Sequence, residues 1–159
     1  MAAPLTQERL KQLLHYDPNT GQWTWLVSPG RYVRAGSLAG HSRRDKRRHI
    51  KIEGRRYYTN RLAFLYMTGE WPRCIVDHKD CDRTNDRWSN LREATHAQNS
   101  ANMHVRPGRL FPKGVFPCGR GFQARIQQHY LGIFNTSEEA AAAYLKAATE
   151  LFGEFARAA

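Results

Sequence analysis

The chain has 159 residues with 25 Lys and Arg against 14 Asp and Glu, so its formal net charge is +11. It has no apolar run near the about 18 residues that a membrane-spanning helix needs, and its first residues lack the apolar stretch of a secretory signal. Three irregularly spaced cysteines argue against a disulfide-stapled secreted fold and predict a soluble, cytoplasmic protein, and the basic excess points first to a nucleic-acid partner.

The first predicted elements are a short helix and a strand. Leucines at positions 5, 10, 13 and 14 have helical spacing, and the residues 17–21 (DPNTG) have the composition of a turn. Trp23 and Trp25 alternate as on one face of a strand.

Most of the basic excess lies in residues 31–61. Ile50 and Ile52 alternate as in a strand, and Glu53-Gly54 has the form of a two-residue hairpin turn, because glycine tolerates a positive φ. We expect a basic β-hairpin that lies along phosphates and adds salt-sensitive affinity without reading sequence. A solvated, flexible charge run is the alternative. The basic residues assigned to this contact are Arg43, Arg44, Lys46, Arg47, Arg48, Lys51, Arg55 and Arg56.

A second helix and an apolar strand follow the basic segment. The helix is predicted to be capped by Asn60 and to end at Gly69, where a left-handed conformation is available, and the strand lies at 74–76. After a polar loop, Thr95 and Gln98 form a capping-box pattern that predicts the start of a short helix.

The residues 74–102 are dense in groups that bind metals or transfer protons. A strand end and a helix packed on it can bring Asp77 and Asn99 to one point, and two oxygen ligands suit a hard cation such as Mg²⁺. His78 can act as general base on a water, because imidazole changes protonation near neutral pH. Strict strand alternation sends Asp77 and His78 to opposite faces, so the strand has to end or bend there. Together these groups supply what phosphodiester hydrolysis requires.

Two stretches carry a resemblance to a known family: YDPNTGQWTW near the start, and NRLAFLYMTGEWPRCIVDHKDCDRTNDRWSNLREATHAQN after the basic segment. They resemble the phage- and intron-associated branch of the HNH endonucleases, over roughly residues 5–104. The resemblance implies a ββα-metal (His-Me finger) nuclease domain, with His78 as general base and Asn90 as the residue that fixes the loop. It also implies that Asp77 and Asn99 hold one divalent ion, Mg²⁺ or Mn²⁺. The implied activity is that of a mobile, homing-type enzyme that nicks or cuts double-stranded DNA in a bacterial or phage-infected cell.

Three assignments leave alternatives open. Many HNH nucleases have histidine as the last ligand, which would select His96 in place of the helical asparagine, but His96 projects from a different side of the helix. Arg92 is assigned a catalytic phosphate contact, and a solvated loop arginine is the alternative. Cys74, His78 and Cys81 suggest zinc, but no CxxC spacing supports it and we treat the cysteines as packing residues.

The chain beyond the nuclease-like part is predicted to be a second domain. Residues 105–112 lose periodicity and contain two prolines and a glycine, so we predict a linker there between domains at 1–104 and 113–159. FQARI and YLGIF then have the pattern of strands. Thr136 and Glu139 form a capping box at the start of an alanine-rich helix.

Residues 113–156 resemble the Apetala-two/ethylene-response-factor DNA-binding domain in the pieces GV, ARI, LGIF, the T-x-EEAAxAY run and LFGEFA. The resemblance implies a three-stranded antiparallel sheet backed by one helix, with the sheet in the major groove. Phe122, Ala124 and Ile126 would pack on the helix, and arginine and glutamine on the open face suit guanine and adenine edges. Phe116 stands where that family usually presents arginine. The side chains assigned to DNA here are Arg120, Gln123, Arg125, Gln127 and Tyr130.

The sequence therefore predicts an α+β protein: a ββα-metal nuclease domain followed by a small three-stranded sheet on one helix. Its predicted function is Mg²⁺-dependent endonuclease activity on double-stranded DNA, with no membrane and no obligate protein partner. A non-catalytic, sequence-specific DNA-binding regulator is one alternative. An RNA-binding module that stacks bases on Tyr57, Tyr58 or Phe122 is another.

Overall fold

The computed structural model of the chain describes residues 4–42, 47–105 and 108–157, and Arg43, Arg44 and Lys46 lie outside them. Helices and small antiparallel sheets alternate along the described chain, which confirms the mixed α and β composition of the prediction. The chain divides into two compact units, Met1–Ala94 and Thr95–Ala159. Each unit has its own hydrophobic core.

The first unit holds two α-helices, eight short strands and a 3-10 turn, Trp88–Asn90, among the described residues. The helices and strands are α1 (Gln7–Leu13), β1 (Leu14–Asp17), β2 (Gln22–Trp25), β3 (Leu38–Ala39), β4 (His41–Ser42), β5 (Arg48–Ile52), β6 (Arg55–Tyr58), α2 (Thr59–Thr68), β7 (Ile75–His78) and β8 (Leu91–Ala94). Strands β1, β2 and β3 form one antiparallel sheet, and β4, β5 and β6 form another. Strands β7 and β8 pair as a separate antiparallel hairpin.

The predicted basic hairpin is present as β5 and β6. Ile52 pairs with Arg55, so Glu53 and Gly54 form the two-residue turn, and both have positive φ, 48° and 83°. Ile50 and Ile52 are buried, which fixes the register because a one-residue slip would expose both. The prediction of a hairpin with this turn is confirmed.

The start of α2 differs from the prediction by one residue. Tyr58 is the N-cap and the helix begins at Thr59, so the prediction that Asn60 is the cap is wrong. Asn60 lies in the first turn, where its amide donates to the carbonyl of Val76 at 3.2 Å and ties α2 to β7. The predicted end at Gly69 is confirmed, with a left-handed φ of 83°.

The core of the first unit is built around aromatic side chains of β1 and β2. Tyr16 and Trp23 are almost fully buried with ring centroids 4.7 Å apart, and both rings contact Tyr66 of α2. Trp23 and Trp25 lie on one strand face, as predicted, and both are buried. The aliphatic side chains that complete this core include Leu10, Leu14, Ile50, Leu62, Leu65 and Leu91.

The second unit combines a three-stranded sheet with helices. Its elements are α3 (His96–Asn102), β9 (Val115–Cys118), β10 (Gly121–Ile126), β11 (His129–Phe134), α4 (Ser137–Phe152) and a 3-10 turn, Gly153–Phe155. The sheet is antiparallel with β10 in the centre, and α4 contacts all three strands. Val115, Ala124 and Ala140 form its buried centre, and the two alanines let helix and sheet approach closely.

Both predicted capping boxes are confirmed. Thr95 accepts from the Gln98 amide at the start of α3, and Thr136 accepts from the Glu139 amide at the start of α4. In each case the side chain at the third helical position accepts from the cap backbone in return.

The division between the units falls before α3, because α3 contacts α4 and the 3-10 turn. Lys113 adds a 2.6 Å hydrogen bond from its Nζ to the carbonyl of Ala101 in α3. The sequence predicts a nuclease domain that runs on to residue 104 and a linker at 105–112, two residues of which lie outside the described chain. Those domain boundaries stay a prediction.

Within the described residues, no helix combines the length and the apolarity needed to cross a membrane.

Candidate functional site

The predicted catalytic residues lie on the β7–β8 hairpin. Asp77 pairs across the ladder with Arg92, and His78, the last residue of β7, pairs with Leu91. Asp77 and His78 are both buried, with 5% and 8% of their surface exposed. Two consecutive buried polar residues at a strand end must each find a partner, because an unpaired buried polar group is costly.

Asp77 has Arg92 as a partner. Its Oδ2 accepts from Arg92 Nε at 3.0 Å, and the arginine side chain is only 9% exposed. Arg92 is therefore a half-buried residue of strand β8, and the alternative of a solvated loop arginine is wrong. The predicted contact of Arg92 with a phosphate stays a prediction.

His78 has a partner that sequence reasoning missed. Its Nε2 lies 2.9 Å from Oδ1 of Asp86, which is 1% exposed. The other carboxylate oxygen of Asp86 accepts from Thr59 Oγ1 at 2.5 Å. Thr59 Oγ1 also lies 3.1 Å from the carbonyl of Arg48 in the basic hairpin. The buried carboxylate thus links the imidazole to the start of α2.

The backbone at Asp86 is held by the first hairpin of the chain. Tyr16 Oη donates to the Asp86 carbonyl at 2.6 Å, and the Trp88 amide donates to the Pro18 carbonyl at 2.9 Å. Gly21 packs so closely that a Cβ there would lie 2.5 Å from the Asp86 carbonyl carbon. Burial, with a contribution from the Asp86 charge, raises the pKa of Tyr16 above its usual range, so the phenol stays a donor at neutral pH.

Asn90 fixes the loop between β7 and β8. Its Nδ2 donates to Asp80 Oδ1 at 2.9 Å and to the Asn85 carbonyl at 2.8 Å, and its Oδ1 accepts from the Asp80 amide at 3.1 Å. Its own carbonyl accepts from the Lys79 amide. Burial opposes ionisation of Asp80, but the hydrogen bonds from Asn85 and Asn90 outweigh it and lower the pKa of that carboxyl. These contacts fit the predicted role of Asn90 in shaping the loop, and its part in catalysis stays a prediction.

Residue type alone does not distinguish Asp86 from the other acidic residues of this polar loop, so the sequence does not identify it as the partner of His78. The local signal that could have found it is Trp88, whose ring packs 4.9 Å from Phe64 in α2. A tryptophan in a polar loop indicates a segment that returns to the core, so an acid two residues earlier is a candidate for burial.

The donor groups present fit a hard divalent cation better than zinc. Asp77 offers a carboxylate in the first unit, and Asn99 lies half-buried in α3 of the second unit, where His96 is exposed at the first helical position. No group of three His, Cys, Asp or Glu side chains that could hold a metal occurs in the described parts of the chain. Mg²⁺ takes few protein ligands and completes its shell with water and phosphate, so such a cage is not required. Cys74, part of the zinc alternative, is exposed, so the prediction that it is a packing residue is wrong.

The basic hairpin presents a row of cations on its solvent face. Lys51 and Arg56 are exposed and directly opposite each other on the ladder, and the Arg47 guanidinium lies 5.7 Å from the Tyr58 ring. Arg48 is half-buried and donates to the Ala39 carbonyl at 3.5 Å. This part of the basic segment is a paired hairpin, and its contact with DNA stays a prediction. The exposed basic residues of this hairpin are Arg47, Lys51, Arg55 and Arg56.

The open face of the second unit's sheet carries polar and aromatic side chains. Arg125 is exposed with its guanidinium 4.4 Å from the Phe116 ring centroid, and Tyr130, 62% exposed, lies opposite it. Gln123 pairs with Phe116 and is half-buried. Stacking on Phe116 holds the arginine over the sheet, so Phe116 supports a residue assigned to DNA.

Two of the residues assigned to DNA lie in turns: Gln127, which is predicted on the open face of the strand, and Arg120, which is predicted in a turn. Strand β10 ends at Ile126, and Gln127 has a φ of 51° in the turn to β11, so its predicted place on the strand is wrong. Arg120 is exposed in the turn between β9 and β10. Their roles in DNA binding stay predictions.

Comparison with known proteins shows one matching family. Residues 57–101 match the HNH endonuclease family. An uncharacterized HNH endonuclease, L560, of Acanthamoeba polyphaga mimivirus is 38% identical over 98 residues, which are 58% of this chain and 51% of that protein. The chain thus spans about half the length of the curated relative that it matches.

Among solved structures, the HNH homing endonuclease I-HmuI, described as binding and cleaving DNA, is similar with a TM-score of 0.45 and 23% identity. That match covers 57% of this chain and 51% of the other. The matched residues include the hairpin β7–β8, its loop and most of α3.

Proposed function

We propose that the chain is a metal-dependent endonuclease that hydrolyses phosphodiester bonds in double-stranded DNA. The observation that carries the proposal is the buried pair of His78 and Asp86, which lies inside the matched residues 57–101. A protein that only binds DNA gains nothing from burying an imidazole against a carboxylate, because such a pair costs desolvation energy.

His78 is the proposed general base. The Asp86 carboxylate can only accept a hydrogen bond, so Nε2 of a neutral imidazole carries the proton and Nδ1 carries the lone pair. The Nδ1 lone pair then takes a proton from the water that attacks phosphorus. Asp86 holds the ring and stabilises the positive charge that the ring acquires in that step.

The proposed metal ligands are Asp77 in the first unit and Asn99 in the second, as the resemblance implies. HNH nucleases generally use a divalent metal ion, and we propose one Mg²⁺ or Mn²⁺ per site. Such an ion supplies charge stabilisation at the leaving oxygen. Arg92 holds the Asp77 carboxylate in one orientation through its 3.0 Å bond.

The proposed DNA contacts come from both units. The exposed row on β5 and β6 supplies phosphate contacts, which position the duplex without reading it. The open face of β9, β10 and β11 is the proposed reader, with Arg125 and Tyr130 as its most exposed members. The Apetala-two-like character of this unit and a homing-type, phage-associated role in the cytoplasm are part of the same proposal.

The test is incubation of the full chain with supercoiled DNA that carries its native genomic flanks, with Mg²⁺ or with EDTA. We expect nicked or linear product with Mg²⁺ only, loss of product in His78→Ala, and nearly unchanged DNA binding by that variant. His15→Ala is the matched control, because His15 is an exposed histidine on β1 of the same unit.

Cleavage by His78→Ala at the wild-type rate would remove His78 as the base. Tight binding to the native flanks without any product would favour the regulator. Stronger competition by RNA than by duplex DNA would favour the RNA-binding alternative.

A further inference from the structure

A projecting loop in the first unit has no role in the functions described above. It comprises residues 26–37, between β2 and β3, and its apex is a turn in which Arg31 and Tyr32 lie between Gly30 and Val33. The Val33 amide donates to the Gly30 carbonyl at 3.2 Å and closes the turn. We call these residues the Tyr32 loop.

Hydrogen bonds at its neck give the Tyr32 loop a defined shape. The Trp25 amide donates to the Ser37 carbonyl at 2.9 Å, and the Gly36 amide donates to the Trp25 carbonyl at 2.7 Å. Within the loop, the Ala35 amide donates to Ser28 Oγ. Val33 packs against the core of the first unit. The apex is therefore held in place, so less ordering entropy is lost when a partner binds it.

The apex exposes an aromatic ring between two cations. Tyr32 is 91% exposed, and Arg31 and Arg34 on either side of it are exposed as well. Within the described chain, none of these three side chains makes a hydrogen bond, an ion pair or a ring contact. The loop contains no acidic residue. A bare ring flanked by guanidinium groups fits a partner that offers negative charge and apolar surface close together.

Resting on the proposed nuclease function, we infer that the Tyr32 loop is a duplex DNA contact. Arg31 and Arg34 bind phosphates, and the Tyr32 ring enters a groove and packs against sugars and base edges. Duplex DNA places phosphate charge beside the apolar sugars and base edges that line its grooves.

The chain path brings this contact near the basic hairpin. The segment from Ser37 to Ser42 passes directly from the end of the loop through β3 into β4, which pairs with β5. The ten residues from Tyr32 at the apex to Ser42 span at most about 36 Å. Two turns of duplex, about 68 Å long, are therefore long enough to contact both surfaces.

The experiment measures binding of the full chain to a fluorescein-labelled 30-base-pair duplex by anisotropy, at several salt concentrations. We expect Tyr32→Ala to weaken affinity about tenfold, the scale of one lost base-aromatic contact, with an unchanged slope of log affinity against log salt. Arg31→Ala and Arg34→Ala should each reduce that slope by about one. Tyr32→Phe should retain affinity because the ring remains.

Leu110→Ala is the matched control, since Leu110 is 88% exposed in the second unit. Melting temperatures of all variants should equal that of the wild type, because these side chains contact only solvent. If the wild type binds the duplex and Tyr32→Ala binds equally well, the inference is overturned while the nuclease proposal stands. If the wild type does not bind duplex DNA at all, both the inference about the Tyr32 loop and the nuclease proposal are overturned.

Discussion

Replacing Asp86 by asparagine separates the charge of this buried residue from its shape. The amide can still accept from His78 Nε2 through its oxygen and can donate to Thr59 Oγ1 through its nitrogen. The Thr59 proton then turns to the Arg48 carbonyl at 3.1 Å. Asp86→Asn therefore keeps every hydrogen bond and removes only the negative charge beside the imidazole.

The magnitude follows from the type of hydrogen bond that is lost. A hydrogen bond to a charged group contributes about 1.5–3 kcal/mol, against about 0.5–1.5 kcal/mol for a neutral one. The loss of this energy difference in Asp86→Asn matters only when His78 becomes positively charged. The substitution therefore raises the activation barrier for proton transfer to His78. At about 1.4 kcal/mol for each factor of ten, we expect a rate about 10-fold lower, with DNA affinity unchanged.

Asp86→Ala is the harsher comparison. It leaves the buried His78 donor without an acceptor, at about 1–3 kcal/mol, whereas the Thr59 hydroxyl can turn to the Arg48 carbonyl. That loss is a substantial part of the about 5–15 kcal/mol that stabilises a typical domain. The alanine variant should therefore melt at a markedly lower temperature, whereas the asparagine variant should not.

The assay is single-turnover cleavage of the native-flank DNA with enzyme in excess, alongside anisotropy binding and thermal unfolding. Asp82→Asn is the control, because Asp82 lies exposed in the same loop and bonds Thr84. An Asp86→Asn variant that cleaves at the wild-type rate would refute the role of the charge. An equal loss in Asp82→Asn would assign the effect to the loop as a whole.

Three further predictions concern stability. Gly21→Ala should destabilise the first unit by about 2 kcal/mol or more, because φ is 72° and the new Cβ would overlap the backbone at Asp86. An unchanged midpoint of urea unfolding would contradict this close packing. Hydrogen bonds lower the pKa of Asp80 in the folded state, so the ionised carboxylate stabilises the fold fully above the unfolded pKa near 4. This stabilisation is lost as the pH falls through the folded pKa. The free energy of unfolding should therefore decrease between about pH 5 and pH 2.5, and it should decrease less in Asp80→Asn. Thr136→Ala should cost about 1 kcal/mol by removing the cap that accepts from the Glu139 amide, and Thr136→Ser should restore it.

Elements specified by a few adjacent residues could be predicted from the sequence. The turn at Glu53 and Gly54 and the helix start at Thr95 depend on chemistry within four positions, so the local pattern is sufficient. The ends of helices and strands are harder to predict, because neighbouring residues compete to end an element. The predicted positions of Asn60 and Gln127 each differ from the structure by about one residue.

The candidate site was predictable only where a family pattern carried it. His78 and Asn90 came from that pattern, and the structure adds the bonds that hold them. Asp86 could not be found in this way, because its burial depends on Tyr16 and Gly21, which are 65 or more positions away in the chain. No periodicity within the loop encodes such a contact.

The dependence of Asp86 on the first hairpin also limits how the proposed nuclease site can be moved between proteins. The matched residues 57–101 omit Tyr16 and Gly21. They also omit the Arg48 carbonyl beside Thr59 and most of the first core. A fusion that transplants only that segment onto a DNA-binding module would lose the contacts that support the proposed base. The smallest transferable segment therefore has to include the preceding strands, so the basic hairpin and the Tyr32 loop accompany the proposed catalytic residues into any new host protein.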